Sequence, residues 1–315
     1  MGAFHAYDIR GIYNVDFDKY TAYKIGFFLP ELLKADKVLL GRDVRLSSDE
    51  IYDAVVEGVT DAGADVYDLG LSTTPMVYFA TARYGFDASI QITASHNAKE
   101  YNGMKVSRTN ALPVGFDAGL GEIKRWIEEG RQMKIEKEKG KVIKFDKRDD
   151  YLTFLNGYKE DYSNLKIGMD LSNGMAALFV KDIFGDQPLY ICDKMDGNFP
   201  NHEPNPLVEK NREDLKKLVL DNGCDVGVIY DGDADRVMFI DENGRFISPD
   251  LMIALLGHYF LEEKGEKGAV LQDIRSSKAV GEYLTPMGAE MHTWRVGRAF
   301  AAHKLRELNG VFGGE

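Results

Sequence analysis

Three carboxylates stand at alternate positions in Asp231-Gly-Asp-Ala-Asp-Arg236, directly after the apolar run Val226–Tyr230. At that spacing they repel one another unless a cation lies among them, and oxygen-only ligands suit a hard ion such as Mg²⁺. Gly232 and Ala234 keep the intervening positions small, so the backbone can wrap closely. Asp231, Asp233, Asp235 and Glu242 also fall at the offsets of an EF-hand calcium loop. That reading fails at the sixth position, Arg236, where the loop needs glycine, and in the apolar VMFI that follows. A solvated acidic turn is the plain alternative, although such turns seldom crowd three carboxylates behind a buried strand.

The second chemical signal is Thr93-Ala-Ser95-His-Asn97, at the exit of the apolar run ASIQI. A hydrolase nucleophile elbow needs Gly-x-Ser-x-Gly, which is absent here. Ser95 and His96 are sequence neighbours that point to opposite faces of an extended chain, which argues against a direct dyad. Alone, the pentapeptide also fits an ordinary polar turn. Beside a metal-binding aspartate loop it fits a serine that carries phosphate, because phosphoryl transfer needs positioning and charge neutralisation above all. Arg10, Lys105 and Arg236 lie in or next to polar loops and supply the cations for that task. Each taken singly reads as a surface charge; together at strand ends they favour a site.

The elements that must hold these loops alternate short apolar runs with helical patterns, the grammar of an α/β protein. Strands are expected at 37–40, 65–69, 88–93 and 103–106, with helices over 49–62 and 116–129. The charged stretch 134–150 predicts a first boundary, giving a unit at 1–150. A second unit, 151–248, predicts strands at 166–171, 188–192 and 226–230, helices at 174–184 and 212–222, and a turn at Asn243-Gly244. A third, 249–315, opens with a helix over 251–263 and a strand at 269–273.

The chain has 315 residues, 44% of them hydrophobic, enough to bury a sizeable core in about two or three domains. The net charge of -12 excludes the basic stripe of a nucleic-acid binder. Cys192 and Cys224 form neither a disulfide framework nor a metal-ligand spacing in sequence, and Cys224 opens an apolar run where a buried thiol is the natural reading. The N-terminus has no apolar signal stretch, and no run is long enough to span a bilayer. Gly2 follows Met1, but Ala6 breaks the myristoylation pattern. The expectation is a cytoplasmic protein without membrane or nucleic-acid partners, either a monomer or a homodimer.

With these motifs in view the chain resembles the α-D-phosphohexomutase family, in its phosphomannomutase/phosphoglucomutase branch. The resemblance rests on Ala6-Tyr-Asp-Ile-Arg-Gly11, Gly41-Arg-Asp-Val-Arg-Leu-Ser-Ser48, Thr93-Ala-Ser-His-Asn97 and Tyr101-Asn-Gly-Met-Lys105. It continues through Asn201-His-Glu-Pro-Asn-Pro-Leu207, Asp231-Gly-Asp-Ala-Asp-Arg236, Thr293-Trp-Arg-Val-Gly297 and Gly313-Gly-Glu315, in the family's order. It implies successive similar mixed-sheet α/β units, the third incomplete and a fourth domain absent. It also implies one Mg²⁺ held by Asp231, Asp233, Asp235 and an oxygen of phosphorylated Ser95. Arg10 and Lys105 match positions that contact the phosphoserine and assist proton transfer, His96 and Asn97 shape the serine loop, and Arg236, Arg298 and Glu315 fall to substrate binding. The implied reaction interconverts hexose 1- and 6-phosphates of mannose or glucose through a hexose 1,6-bisphosphate. Ala98 stands where the family often has proline after the serine motif. The sugar-binding motif that begins at Gly313 is expected to continue past Glu315.

Two other classes fit parts of the pattern. A non-catalytic sugar-phosphate-binding module, or an inactive mutase fragment, would need neither a nucleophile nor a three-carboxylate site. A phosphatase with the same metal would release phosphate in net turnover.

Overall fold

Short β-branched and apolar stretches form the strands that carry the site, and the residues just past their ends form the site itself. The computed structural model describes residues 2–314. The chain divides into two compact units, Met1–Arg245 and Phe246–Glu315.

The first unit contains β1 (Ile9–Ile12), α1 (Lys19–Leu33), β2 (Lys37–Arg42), α2 (Ser48–Asp61), β3 (Asp65–Leu71), α3 (Thr74–Tyr84), β4 (Ala88–Ile92), β5 (Tyr101–Arg108), β6 (Leu112–Pro113), α4 (Leu120–Glu128) and β7 (Val142–Lys144). These strands make a seven-stranded mixed sheet in the order β1-β5-β4-β2-β3-β7, with β6 beside β5. β4, β2, β3 and β7 run parallel, while β5 is antiparallel to both β4 and β1. β4 is buried along its whole length, as expected of a central strand covered on both faces. α1 and α2 cross closely because glycines face backbone there. A Cβ at Gly26 would meet the Val55 carbonyl oxygen at 2.5 Å, and one at Gly58 would meet that of Tyr23 at 2.1 Å.

The same unit continues with α5 (Arg148–Asn156), β8 (Ile167–Asp170), α6 (Val180–Phe184), β9 (Leu189–Ile191), α7 (Glu213–Asn222), β10 (Val226–Tyr230) and β11 (Val237–Asp241). Within this unit the strand order is β11-β10-β8-β9, with β11 antiparallel and the other three parallel. An apolar seam joins the two layers. Leu39, Leu69, Val77 and Phe86 from the first sheet region share one buried cluster with Tyr151 and Phe179 from the second.

The second unit holds β12 (Phe246–Ile247), α8 (Pro249–Gly257), β13 (Gly268–Asp273), α9 (Lys278–Leu284), β14 (Ala289–Trp294), α10 (Arg298–Glu307) and β15 (Phe312–Gly314). β14, β13 and β15 form a parallel sheet around a core that includes Ile253, Val270, Leu284 and Phe312. Among the described residues, no helix is long and apolar enough to cross a membrane.

The α/β expectation holds, with local differences. The helix expected over 116–129 begins only at Leu120, because Gly119 lies at φ 144 and separates it from a 3₁₀ turn at Phe116–Ala118. The helix expected over 174–184 is likewise a 3₁₀ turn, Met175–Leu178, followed by α6. Residues 142–144, within the charged stretch, form edge strand β7 on β3. At the Asn243-Gly244 turn it is Gly244 that takes the positive φ, 73°.

Candidate active site

β4 ends at Ile92, and the chain turns through Ser95 in the left-handed region at φ 53, a conformation a serine adopts at some cost in strain. The surroundings fix it. The Ser95 amide donates to Thr93 Oγ1 at 2.9 Å. Arg45, buried at 2% exposure, donates to four carbonyl oxygens of this loop and its exit: Ser95 at 3.0 Å, Asn97 at 2.7 Å, Ala98 at 2.7 Å and Tyr101 at 3.0 Å. Asp43 orients that guanidinium through Nε at 3.2 Å and itself accepts from Ser48 Oγ at 2.6 Å. Arg45 and Asp43 lie in the Gly41–Ser48 motif, yet no local pattern there signals their role. The carbonyl partners of Arg45 sit some fifty residues further along the chain.

The aspartate loop follows β10 and reaches the serine loop at van der Waals distance. A Cβ at Gly232 would meet the Ser95 carbonyl oxygen at 2.4 Å, so glycine is required at that approach. Ser95 Oγ donates to Asp231 Oδ2 at 2.8 Å and accepts from Arg236 Nη2 at 2.8 Å. Arg236 Nε also donates to Asp231 Oδ2 at 3.1 Å, and Nη2 donates to His96 Nδ1. Lys105, on β5, donates to Asp233 Oδ2 at 2.6 Å and Asp235 Oδ2 at 2.5 Å. Thr74, at the start of α3, donates its hydroxyl to Asp233 Oδ2 and its amide to the Asp233 carbonyl oxygen at 3.1 Å. Arg10, on β1, donates to Asn97 Oδ1 at 2.9 Å and pairs with Asp8.

Ser95, His96, Lys105, Arg10, Arg236 and the three aspartates therefore converge on one place in the first unit. Arg298 opens α10 of the second unit, and Glu315 lies outside the described residues. Thr74, Asp8, Asp43 and Arg45 are site neighbours that sequence reasoning did not single out.

The electrostatics follow from burial and crowding. Burial first, then repulsion from Asp233 and Asp235, pushes the Asp231 carboxyl up to about 8. Burial acts on Asp233 in the same sense, but the Lys105 charge and the hydrogen bonds from Lys105 and Thr74 outweigh it and hold that carboxyl below its usual range. Burial opposes the Lys105 charge, and Asp233 with Asp235 more than offset it, so the ammonium stays protonated. His96 is pushed down to about 3 by burial, then by Arg236 and Arg10, and so meets the Arg236 donor as a neutral acceptor.

The donor set fits a divalent cation. One oxygen each from Asp231, Asp233 and Asp235 lies within 4.8 Å of the others. Asp233 Oδ1 is buried and has no hydrogen-bond partner among the described residues. An unpaired buried carboxylate oxygen is expensive, and a hard cation is a partner chemically suited to it.

Comparison with known proteins finds relatives that match along the whole chain. The phosphoglucomutase/phosphomannomutase alpha/beta/alpha domains I, II and III match residues 1–134, 149–244 and 248–315. Phosphomannomutase of Escherichia coli K12 is 36% identical over 326 residues, covering 100% of this chain and 71% of that protein. The crystal structure of a phosphoglucomutase/phosphomannomutase family protein from Burkholderia thailandensis superposes with a TM-score of 0.89 at 29% identity, covering 98% of this chain and 69% of that one. Aspergillus fumigatus N-acetylphosphoglucosamine mutase, in complex with GlcNAc-6P and magnesium, shares the fold at a TM-score of 0.51 and 14% identity, covering 88% and 50% of the two chains. Matches that run through all three domains, on a chain whose serine and aspartate loops meet at hydrogen-bond distance, make this protein a member of the phosphoglucomutase/phosphomannomutase family.

Proposed function

We propose that this protein is a phosphohexomutase that interconverts hexose 1-phosphate and hexose 6-phosphate, of mannose, glucose or both, through phosphorylated Ser95 and a bisphosphorylated sugar. The observation that carries the reading is the position of Ser95 Oγ, 2.8 Å from an aspartate of the acidic loop and 2.8 Å from Arg236. A solvated acidic turn would have no buried serine hydroxyl among its partners.

Asp231, Asp233 and Asp235 would hold Mg²⁺, which, when bound, supplies neutralisation of the phosphoryl oxygens beside Ser95. This chain's own residues do the rest. Arg236 lies against Ser95 Oγ and would clamp the phosphoryl group as it leaves or returns. The acceptor hydroxyl loses a proton as its oxygen bonds to phosphorus, and the Ser95 oxygen, freed of phosphorus, ends protonated. Lys105, beside Asp233 and Asp235, is the residue assigned to proton movement at the reacting hydroxyl. Arg10 holds the serine loop through Asn97 and would contact a phosphate on Ser95, and His96, a neutral acceptor, fixes Arg236. Arg298 and Glu315 are proposed to reach the sugar and its other phosphate. The division into a phosphoserine domain at 1–150, a metal-binding domain at 151–248 and a sugar-binding domain at 249–315 belongs to the same reading, as does work in the cytoplasm on small hexose phosphates.

Intact-mass measurement after incubation with glucose or mannose 1,6-bisphosphate and Mg²⁺ tests it. One added phosphoryl group is expected, absent from Ser95→Ala. An unlabelled wild-type chain, or equal labelling of the alanine variant, sinks the phosphoserine reading.

A further inference from the structure

A second cluster of metal-ligating side chains lies at the same C-terminal edge of the sheet of β8 and β10, beside the aspartate loop, with Asp170 of β8 in register with Ile229 of β10. Asp170 closes β8, Cys192 follows β9 directly, and His202 comes from the Asn201–Leu207 motif. One carboxylate oxygen, one sulfur and one imidazole nitrogen of these residues lie within 4.8 Å of one another. The side chain of Asp170 is fully buried and that of His202 is 7% exposed, while Cys192 is half-buried and leaves an approach.

The histidine is oriented as a ligand would be. His202 Nδ1 lies 2.9 Å from the Glu203 carbonyl oxygen, which can only accept, so Nδ1 carries a proton. Nε2 is thereby turned to Asp170 Oδ2 at 2.9 Å and to Cys192 Sγ at 3.8 Å. A backbone carbonyl that fixes the tautomer from behind is the usual support of a metal-bound imidazole. Asp170 is braced similarly, with its other oxygen, Oδ1, accepting from the Ser172 amide at 2.8 Å.

We propose that Asp170, Cys192 and His202 form a site for a borderline-soft divalent transition metal of the Zn²⁺ class, distinct from the aspartate loop. A proton shared between His202 and Asp170 would use two of the three groups; a metal ion uses all three. With ordinary zinc bond lengths, tetrahedral sulfur and nitrogen ligands sit about 3.6 Å apart, against the 3.8 Å between Cys192 Sγ and His202 Nε2. The nitrogen and oxygen would sit about 3.3 Å apart, so Asp170 and His202 must part slightly to admit the ion. Mixed sulfur, nitrogen and oxygen donors select this class over Mg²⁺, which prefers oxygen alone. Binding converts the Cys192 thiol to a thiolate and also displaces the proton shared by His202 Nε2 and Asp170 Oδ2, and both protons go to solvent. A water completes the fourth position. The site ties the ends of β8 and β9 to the 201–207 segment, whose Pro204 lies against Gly232 of the aspartate loop, where a Cβ would meet its Cγ at 3.3 Å.

Co²⁺ titration into the reduced, metal-stripped full chain is the test, read as the sulfur-to-cobalt charge-transfer band in the near ultraviolet. One equivalent is expected to build the band, Zn²⁺ to bleach it, and Asp231→Asn and Cys224→Ser to retain it. Cys192→Ser should abolish it, and His202→Gln should weaken Co²⁺ binding by at least about tenfold. Alkylation of the folded wild-type chain gives a reading free of any variant: Zn²⁺ should protect Cys192 from iodoacetamide. No band at saturating Co²⁺, a band that survives Cys192→Ser, full affinity in His202→Gln, or unaltered alkylation with Zn²⁺ would each overturn the proposal.

Discussion

At the scale of single residues, the serine loop is held by a group that does no chemistry itself. Arg45 satisfies four carbonyl oxygens of residues 95–101 while almost wholly removed from solvent. A lysine keeps the charge but lacks the planar fork, so some of those oxygens lose their donors at about 1–3 kcal/mol each. Arg45→Lys is expected to lower the midpoint of urea unfolding and to slow Ser95 labelling by at least about tenfold; labelling at the wild-type rate would show that the loop holds itself. Lys105 poses the opposite case, since its ammonium neutralises Asp233 and Asp235, carboxylates whose charge a metal ion also needs. Lys105→Met should bind Mn²⁺ about tenfold more tightly, ~1.4 kcal/mol, yet lose turnover by about a hundredfold or more through the missing proton carrier. Weaker Mn²⁺ binding in calorimetry would contradict the competition. The sequence made Ser95, Lys105, Arg236 and the three aspartates legible because strand exits and charge spacing are local. Arg45 and Thr74 were not legible, because each acts on partners brought near only when the chain folds back on itself.

At the scale of elements, the distance between Ser95 and Asp231 depends on how the layer around β4 sits against the layer around β10. Tyr151 and Phe179 enter the same buried cluster as Leu39, Leu69 and Phe86, and the Tyr151 and Phe179 rings pack edge-to-face with centroids 5.1 Å apart. Phe179 is 4% exposed, so Phe179→Ala removes a buried ring and should destabilise the first unit by about 3–5 kcal/mol. Activity should fall well beyond the loss of folded protein, because the seam sets the approach of the two loops; a destabilised variant with wild-type turnover per folded molecule would locate that control elsewhere. The strands β2, β3, β4 and β10 were readable as apolar runs with polar ends. Helix α1 was not, because Ile25 through Pro30 are all buried, and a helix apolar on every face shows no 3.6-residue stripe. Edge strand β7 was masked for the reverse reason: charge dominates its neighbourhood, and three residues with two exposed side chains carry little apolar signal.

At the scale of the whole molecule, both loops of the site belong to the unit Met1–Arg245, and Phe246–Glu315 folds around its own three-stranded sheet and core. A cation bound among Asp231, Asp233 and Asp235 stabilises the native state by mass action, by about 2.7 kcal/mol at a hundred times its dissociation constant. That stabilisation is felt where the ligands are. Amide exchange in Mg²⁺ should therefore slow across residues 93–97 and 226–236, and return to the metal-free rate on chelation. Residues 268–294, which carry β13, α9 and β14, have no ligand in the cluster and should exchange at the same rate in both conditions. Asp233→Asn should erase the difference in the first unit, since it removes the charge of a ligand whose buried Oδ1 otherwise has no hydrogen-bond partner among the described residues. Equal protection of both units by Mg²⁺ would mean that they unfold as one body, and a response in β13 alone would mean that the cation binds somewhere other than the aspartate loop.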